Sequence, residues 1–215
     1  MELSTPQQQA AYKIFKKYLP DKTVNYCFRL WLKYQFNFFV TKSRQTKLGD
    51  YSYNYQSKKH TITINHDLNK YSFLITYLHE VAHLTTGLKH WHKRIKPHGP
   101  EWKESFQELV VPLLKNDAIP DDLLEPLFDY INNPKASSCS DISLLKALGQ
   151  YDTHTPLPFL SDVKNGQVFR FQKTVYRKEK TLRTRALCVE IKTGRKYYIS
   201  EGAQVEIIET AEPTK

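Results

Sequence analysis

The chain is poor in cysteine and in long apolar runs. Its 215 residues include three cysteines, Cys27, Cys139 and Cys188, which lie far apart. That spacing excludes a disulfide framework and a zinc site built from paired cysteines. No apolar run approaches the roughly 20 residues that cross a bilayer, and the first residues lack the apolar core of a signal peptide. We therefore expect a soluble, cytoplasmic protein without a membrane partner.

Acidic residues are also scarce in two parts of the chain. The whole sequence carries 32 Lys and Arg against 22 Asp and Glu, a formal charge of +10. Residues 1–70 hold 12 basic and 4 acidic residues, and residues 161–215 hold 12 and 7, whereas the middle is mildly acidic. Two basic blocks suggest a polyanionic partner, either DNA or RNA. The alternative is a basic surface that is only solvated.

Hydrophobic periodicity divides the chain into a mixed first part and a β-rich second part. The first part combines five segments of helical pattern with three short segments rich in β-branched and aromatic residues. The second alternates strongly from about residue 167 onward. We predict an α+β fold with a small antiparallel sheet, followed by a small all-β, barrel-like module. The predicted boundaries are 1–135 for the first domain, 136–155 for a linker with a short helix, and 156–210 for the basic β-module.

The most informative motif is "HEVAH" at residues 79–83, within a long predicted helix. Histidines four residues apart lie on one face of a helix, so His79 and His83 can supply two ligands to a zinc ion. Glu80 follows the first histidine, where its carboxylate can act as the general base on a water molecule. A catalytic zinc site needs a third protein ligand and an open position.

Several residues downstream are candidates for the third ligand. His90 nearly fits a known spacing, but it comes one residue late, which turns a helical side chain by about 100°. A glutamate of the following helix is a second possibility: Glu101, Glu104 or Glu108. His98 is a third, because it opens "HGPEW" with Gly99 beside it to allow a sharp turn. The residues alone leave these alternatives open.

The pair "HEVAH" and "HGPEW", with 15 residues from His83 to His98, resembles the SprT-like metalloproteases, which include the Spartan DNA–protein crosslink proteases. The resemblance covers residues 1 to about 135. It implies a zincin-like domain, one catalytic Zn²⁺ held by His79, His83 and His98, and Glu80 as the base. Many relatives carry a C-terminal zinc ribbon, which three scattered cysteines cannot build here.

The segment "HTITIN" is a candidate for a substrate-binding strand. An edge strand beside the metal can bind an extended peptide through main-chain hydrogen bonds. By its order along the chain, His60 to His66 is the best candidate. The alternative is an interior strand without contact to substrate.

The β-module has the composition of a nucleic-acid-binding surface. Residues 163–200 carry 11 Lys and Arg against 2 Asp and Glu, with five aromatic residues interleaved. Cationic side chains neutralise phosphates, and aromatic rings stack on unpaired bases. We predict contacts from Arg177, Lys178 and Arg183. In a small barrel, however, alternating aromatic residues more often form the core. The aromatic residues are Phe169, Phe171, Tyr176, Tyr197 and Tyr198.

Together, these patterns predict a zinc-dependent endopeptidase that acts on proteins associated with nucleic acid. The alternative is a nucleic-acid-associated binding protein whose zinc site is structural or vestigial. An intact Glu80 favours the enzyme, because a structural site does not need a base. The sequence leaves the oligomeric state and the protein substrate unknown.

Overall fold

The computed structural model describes residues 5–44, 47–114, 117–132, 141–153 and 157–208. The chain divides into two compact units, residues 1–138 and 139–215, and each is described by itself. Cys139 lies outside the described residues. Within the described parts, no helix combines the length and apolar character that a membrane span requires.

The described part of the first unit contains five helices, each in a segment that the periodicity predicts. Thr5 caps the first of them, because its hydroxyl accepts the Gln8 N–H at 3.2 Å. Asn69 caps the third, accepting the N–H groups of Tyr71 and Ser72. The helices are α1 (Pro6–Tyr18), α2 (Asp21–Tyr34), α3 (Lys70–Lys89), α4 (Pro100–Leu114) and α5 (Asp121–Asn132).

Three strands form a small sheet in the order β1-β3-β2. They are β1 (Asn37–Thr41), β2 (Gly49–Asn54) and β3 (Lys59–Asn65). β3 pairs in parallel with β1 and antiparallel with β2. The prediction of an antiparallel sheet is therefore wrong for one of its two pairings. The prediction that "HTITIN" is an edge strand is also wrong, because β3 is hydrogen-bonded on both sides.

Helix α3 is the centre of the first unit. Thirteen of its 20 residues are buried, because apolar side chains surround it on most sides. Rings from α1 and β1 pack around Tyr77, whose hydroxyl donates to the Cys27 carbonyl of α2 at 2.8 Å. This packing fixes the position and rotation of the helix that carries the HEVAH residues.

The second unit contains a helix, α6 (Ile142–Gly149), and a five-stranded antiparallel sheet. The strand order is β7-β6-β5-β4-β8. Its apolar core includes Leu160, Phe169, Ala186, Cys188 and Ile199. That the sheet closes into a barrel stays a prediction. The strands are β4 (Val168–Phe171), β5 (Thr174–Thr181), β6 (Arg185–Glu190), β7 (Lys196–Ser200) and β8 (Glu206–Ile208).

Candidate metal centre

Three imidazoles converge in the first unit. The Nε2 atom of His98 lies 3.1 Å from Nε2 of His79 and 3.0 Å from Nε2 of His83. His79 and His83 lie one turn apart on α3, so their rings leave the helix on the same side. His98 reaches them from the turn before α4, where its φ of 58° places the backbone in the left-handed region. The structure thus brings together the three histidines that the family resemblance implies.

This arrangement suits a metal ion better than a set of hydrogen bonds. An imidazole nitrogen carries either one proton or one lone pair, so Nε2 of His98 cannot form good hydrogen bonds with both partners at once. Zinc binds imidazole at about 2.0–2.1 Å, which in a tetrahedron places two ligand nitrogens about 3.3 Å apart. The distances from His98 Nε2 to the other two Nε2 atoms are close to this value, and all three ligand atoms lie within 4.8 Å of one another, so the donor set fits a zinc ion.

Burial keeps the three imidazoles neutral. Burial, together with the smaller effect of neighbouring imidazoles, lowers the pKa of His79 to about 3 and that of His83 to about 4. Burial also lowers the pKa of His98. The neutral form is the one that offers a lone pair to a metal. The protein environment therefore holds all three residues in the form that binds zinc.

Trp102, the aromatic residue of HGPEW, packs against the whole cluster. Its ring centroid lies 4.6 Å from that of His79, 5.3 Å from that of His83 and 4.7 Å from that of His98. It is 1% exposed and stacks on Phe106 one turn further along α4. The sequence analysis gave Trp102 no role of its own, although its place in the motif was a signal. It forms one wall of the site and restricts the three rings.

The side chain of Glu80 is buried where α3 packs against β2. It is 7% exposed, and its carboxylate accepts the backbone N–H of Tyr51. Burial, followed by the charge of Asp50, raises the pKa of Glu80 to about 8, although Tyr51 N–H, Lys47 and Arg44 oppose the shift. A cation in the neighbouring cluster would favour the ionised carboxylate.

Gly49 allows this close approach between helix and strand. A Cβ at position 49 would lie 2.8 Å from Oε1 of Glu80 and 2.7 Å from Cγ2 of Thr76. A Gly-Asp pair is common in turns, but here both residues belong to β2. Gly49 is instead the residue whose missing side chain leaves room for Glu80.

Tyr51 and His60 flank the cluster on the strand side. The Tyr51 ring lies nearly parallel to the His83 ring, with centroids 6.4 Å apart. On its other side Tyr51 stacks on His60, and its hydroxyl lies 2.9 Å from Nδ1 of His60. The sequence analysis did not identify this pair, because the two residues meet only through strand pairing.

The other candidates for the third ligand do not join the cluster. His90 follows the last residue of α3, and its backbone N–H bonds to the Thr86 carbonyl. The helix thus runs past Gly87 and ends at Lys89. Among the described residues, the group that could hold a metal consists of His79, His83 and His98, without a glutamate.

Comparison with known proteins identifies a family that part of the chain resembles. Residues 16–117 match the SprT-like family. Searches of curated proteins and of solved structures gave no match. This match indicates a metalloprotease-like function, and the matched segment includes every residue of the histidine cluster, Glu80 and Trp102.

In the second unit, one of the three predicted nucleic-acid contacts is wrong. Lys178 is 1% exposed, and its ammonium group donates to the Leu160 carbonyl at 2.7 Å and to Glu201 at 2.9 Å. A buried ammonium group in an ion pair cannot contact a phosphate. Arg177 and Arg183 are exposed, and Arg177 pairs with Glu179 at 2.8 Å. These two arginines stay candidates.

The aromatic residues of this unit divide between core and surface. Phe169 is fully buried, and Phe171 and Tyr176 pack against the same core. Tyr197 is 37% exposed and Tyr198 63%. The core interpretation is therefore confirmed for three of the five residues, while Tyr198 presents most of its ring to solvent.

Proposed function

We propose that this SprT-like protein is a zinc-dependent endopeptidase that cleaves proteins associated with nucleic acid. One observation carries the catalytic part of the proposal: three neutral imidazoles converge on one point, and a buried glutamate follows the first of them on the same helix. The small sheet that packs beside this helix supports the expectation of a zincin-like domain.

The number of protein ligands supports a catalytic site over a structural one. Structural zinc sites are almost always closed by four protein ligands, whereas catalytic sites have three and keep one position open. In the described part of the chain, three histidines form the cluster and no further His, Cys, Asp or Glu is grouped with them. This favours the enzyme over the alternative, a binding protein with a structural site.

The chain's own residues supply positioning and proton transfer. His79, His83 and His98 would hold the zinc ion, which when bound acts as a Lewis acid and lowers the pKa of a coordinated water. The Glu80 carboxylate takes a proton from the attacking water and later delivers it to the departing amine nitrogen. Its hydrogen bond from Tyr51 N–H fixes the carboxylate for both steps.

The free edge of β2 is the substrate strand that this proposal requires. Alternate residues of an antiparallel strand face the same neighbour, and Tyr51 directs its N–H to Glu80 instead of to β3. Tyr53 therefore also directs its N–H and C=O away from β3. An extended peptide that pairs with this edge lies next to Glu80, and its main chain is bound whatever its side chains are.

Charge supports the association with nucleic acid. The excess of basic residues in 163–200 lies on a unit whose exposed side chains include Arg177, Arg183 and Tyr198. Basic groups neutralise phosphates and an exposed ring can stack on a base. The unit would thereby bring the peptidase to proteins bound on DNA or RNA.

The test of the catalytic proposal is the exchange Glu80→Gln. The amide is nearly isosteric but cannot accept the proton, so we expect peptide cleavage to fall by about 10²–10⁴-fold while bound zinc is retained. Glu104→Gln is the matched control, because it makes the same chemical change at an exposed position of α4. Metal analysis and cleavage of a short peptide are measured on the same preparations.

Two results would contradict the proposal. A zinc-loaded Glu80→Gln protein that cleaves like the wild type would remove Glu80 from the reaction. A wild-type protein that cleaves neither a short peptide nor a protein bound to single-stranded DNA would favour the binding-protein alternative.

A further inference from the structure

The loop between α3 and α4 carries the most exposed tryptophan of the protein. Trp91 is 84% exposed, whereas Trp31 is 9% and Trp102 1% exposed. The loop, residues 90–97, reads HWHKRIKP and contains no acidic residue. Tryptophan is buried in most proteins, so a nearly free indole among cationic side chains indicates a surface that meets a partner.

Three cations of the same loop are free of carboxylate partners. Lys93, Arg94 and Lys96 are exposed, and in the described part of the chain none of them forms an ion pair. Lys89, at the end of α3, differs because it pairs with Glu108. The loop thus presents three positive charges that the protein does not neutralise.

The loop is shaped by local contacts. The Lys93 N–H bonds to the His90 carbonyl, and the Gly99 N–H bonds to the Lys96 carbonyl, both at 2.9 Å. The His92 ring packs edge-on against Trp91, with centroids 5.8 Å apart. Trp91 therefore has a ring neighbour, while most of its surface is open to solvent.

We propose that the loop 90–97 binds unpaired, single-stranded nucleic acid. A base stacks on Trp91, and Lys93, Arg94 and Lys96 neutralise the adjoining phosphates. The combination of one open aromatic face with several unpaired cations and no acid fits a base and its phosphates. An anionic membrane surface fits less well, because Ile95 is half-buried and Trp91 alone offers a large exposed apolar area within the loop.

This inference deepens the proposed function. Only the benefit of binding, which is delivery of a protein substrate to the site, rests on the proposed peptidase. The loop ends at His98, so nucleic acid bound to it would lie near the histidine cluster. A protein attached to that nucleic acid would be held near Glu80. Binding by the loop itself requires no peptidase activity.

The first test measures binding of labelled oligothymidylate to the full chain at two salt concentrations. Trp91→Ala should weaken binding by about 5- to 150-fold, the usual range for loss of one stacked base. The control is Tyr55→Ala, since Tyr55 is 85% exposed on the same unit and lies in the turn between β2 and β3. In the wild type, oligothymidylate should also quench the tryptophan fluorescence, because the other two indoles are buried.

The second test separates local contacts from net charge. Changing the three loop cations to Glu should reduce the slope of log affinity against log salt by about 2, since each lost phosphate contact on a single strand removes about 0.7. The matched control changes three exposed lysines of α1 to Glu, which alters the net charge equally and should leave the slope unchanged. The loop variant is Lys93→Glu, Arg94→Glu, Lys96→Glu, and the control is Lys13→Glu, Lys16→Glu, Lys17→Glu.

Each alternative outcome overturns the inference. If the two triple variants lose the same amount of slope and affinity, the effect comes from net charge and not from contacts of the loop. Unquenched Trp91 fluorescence, or equal binding by Trp91→Ala and wild type, would exclude stacking. Tighter binding to vesicles of anionic phospholipid than to oligothymidylate would assign the loop to a membrane surface. Cleavage of a short free peptide, followed in parallel, shows separately whether the peptidase proposal fails.

Discussion

Gly49→Ala is the most direct test of how Glu80 is held. The new methyl carbon would lie 2.7 Å from Thr76 Cγ2, 2.8 Å from Glu80 Oε1 and 2.9 Å from Glu80 Cγ. Ordinary contacts of a Cβ begin at 3.4 Å, so each of these three would be short by at least 0.5 Å. Thr76 and Glu80 are both buried, so neither can turn into solvent to relieve the overlap.

The overlap has two possible consequences that can be measured. If the surroundings stay in place, overpacking should lower the free energy of unfolding by about 1–3 kcal/mol. If instead the Glu80 carboxylate moves by about 1 Å, peptide cleavage should fall by about 10²-fold. In both cases bound zinc should be retained, because the nearest neighbours of a Cβ at position 49 belong to Thr76 and Glu80 and not to the three histidines.

The control is Gly87→Ala on α3. A Cβ there would lie 3.6 Å from the Tyr51 hydroxyl, an ordinary contact. Because alanine favours a helix over glycine, this variant should be more stable by about 0.5–1 kcal/mol and should cleave like the wild type. Thermal melts, metal analysis and peptide cleavage are compared for both variants. Wild-type cleavage and stability in Gly49→Ala would refute the view that Glu80 is confined against β2.

Two further predictions concern residues whose roles the structure distinguishes. His98→Ala should lose most of the bound zinc while His90→Ala keeps it, as measured by metal analysis; full retention by His98→Ala would reject the three-histidine centre. Lys178→Ala should destabilise the second unit by about 3–5 kcal/mol in denaturant unfolding, because it leaves Glu201 buried without its counterion. Exchanging both partners, Lys178→Met with Glu201→Leu, should restore most of that loss, and an equally unstable double variant would contradict this explanation.

The sequence by itself determined much of the secondary structure and two of the candidate ligands. Helical periodicity and caps such as Thr5 and Asn69 are local properties, so they can be recognised without the fold. The same holds for His79 and His83, because a spacing of four residues places two side chains on one helical face wherever that helix lies. The HGPEW motif added His98 through family resemblance.

Only the tertiary structure decided which residues meet across elements. Strand order is set by pairing between distant segments, so the periodicity of "HTITIN" could not show that β3 is central and β2 the free edge. Lys178 lies in a basic, alternating segment whose pattern predicts an exposed side chain. Its ammonium group is nevertheless buried, because it pairs with the carboxylate of Glu201, 23 residues later. Trp102 meets His79 and His83 for the same reason, because the packing of α4 against α3 joins residues that are distant in the sequence.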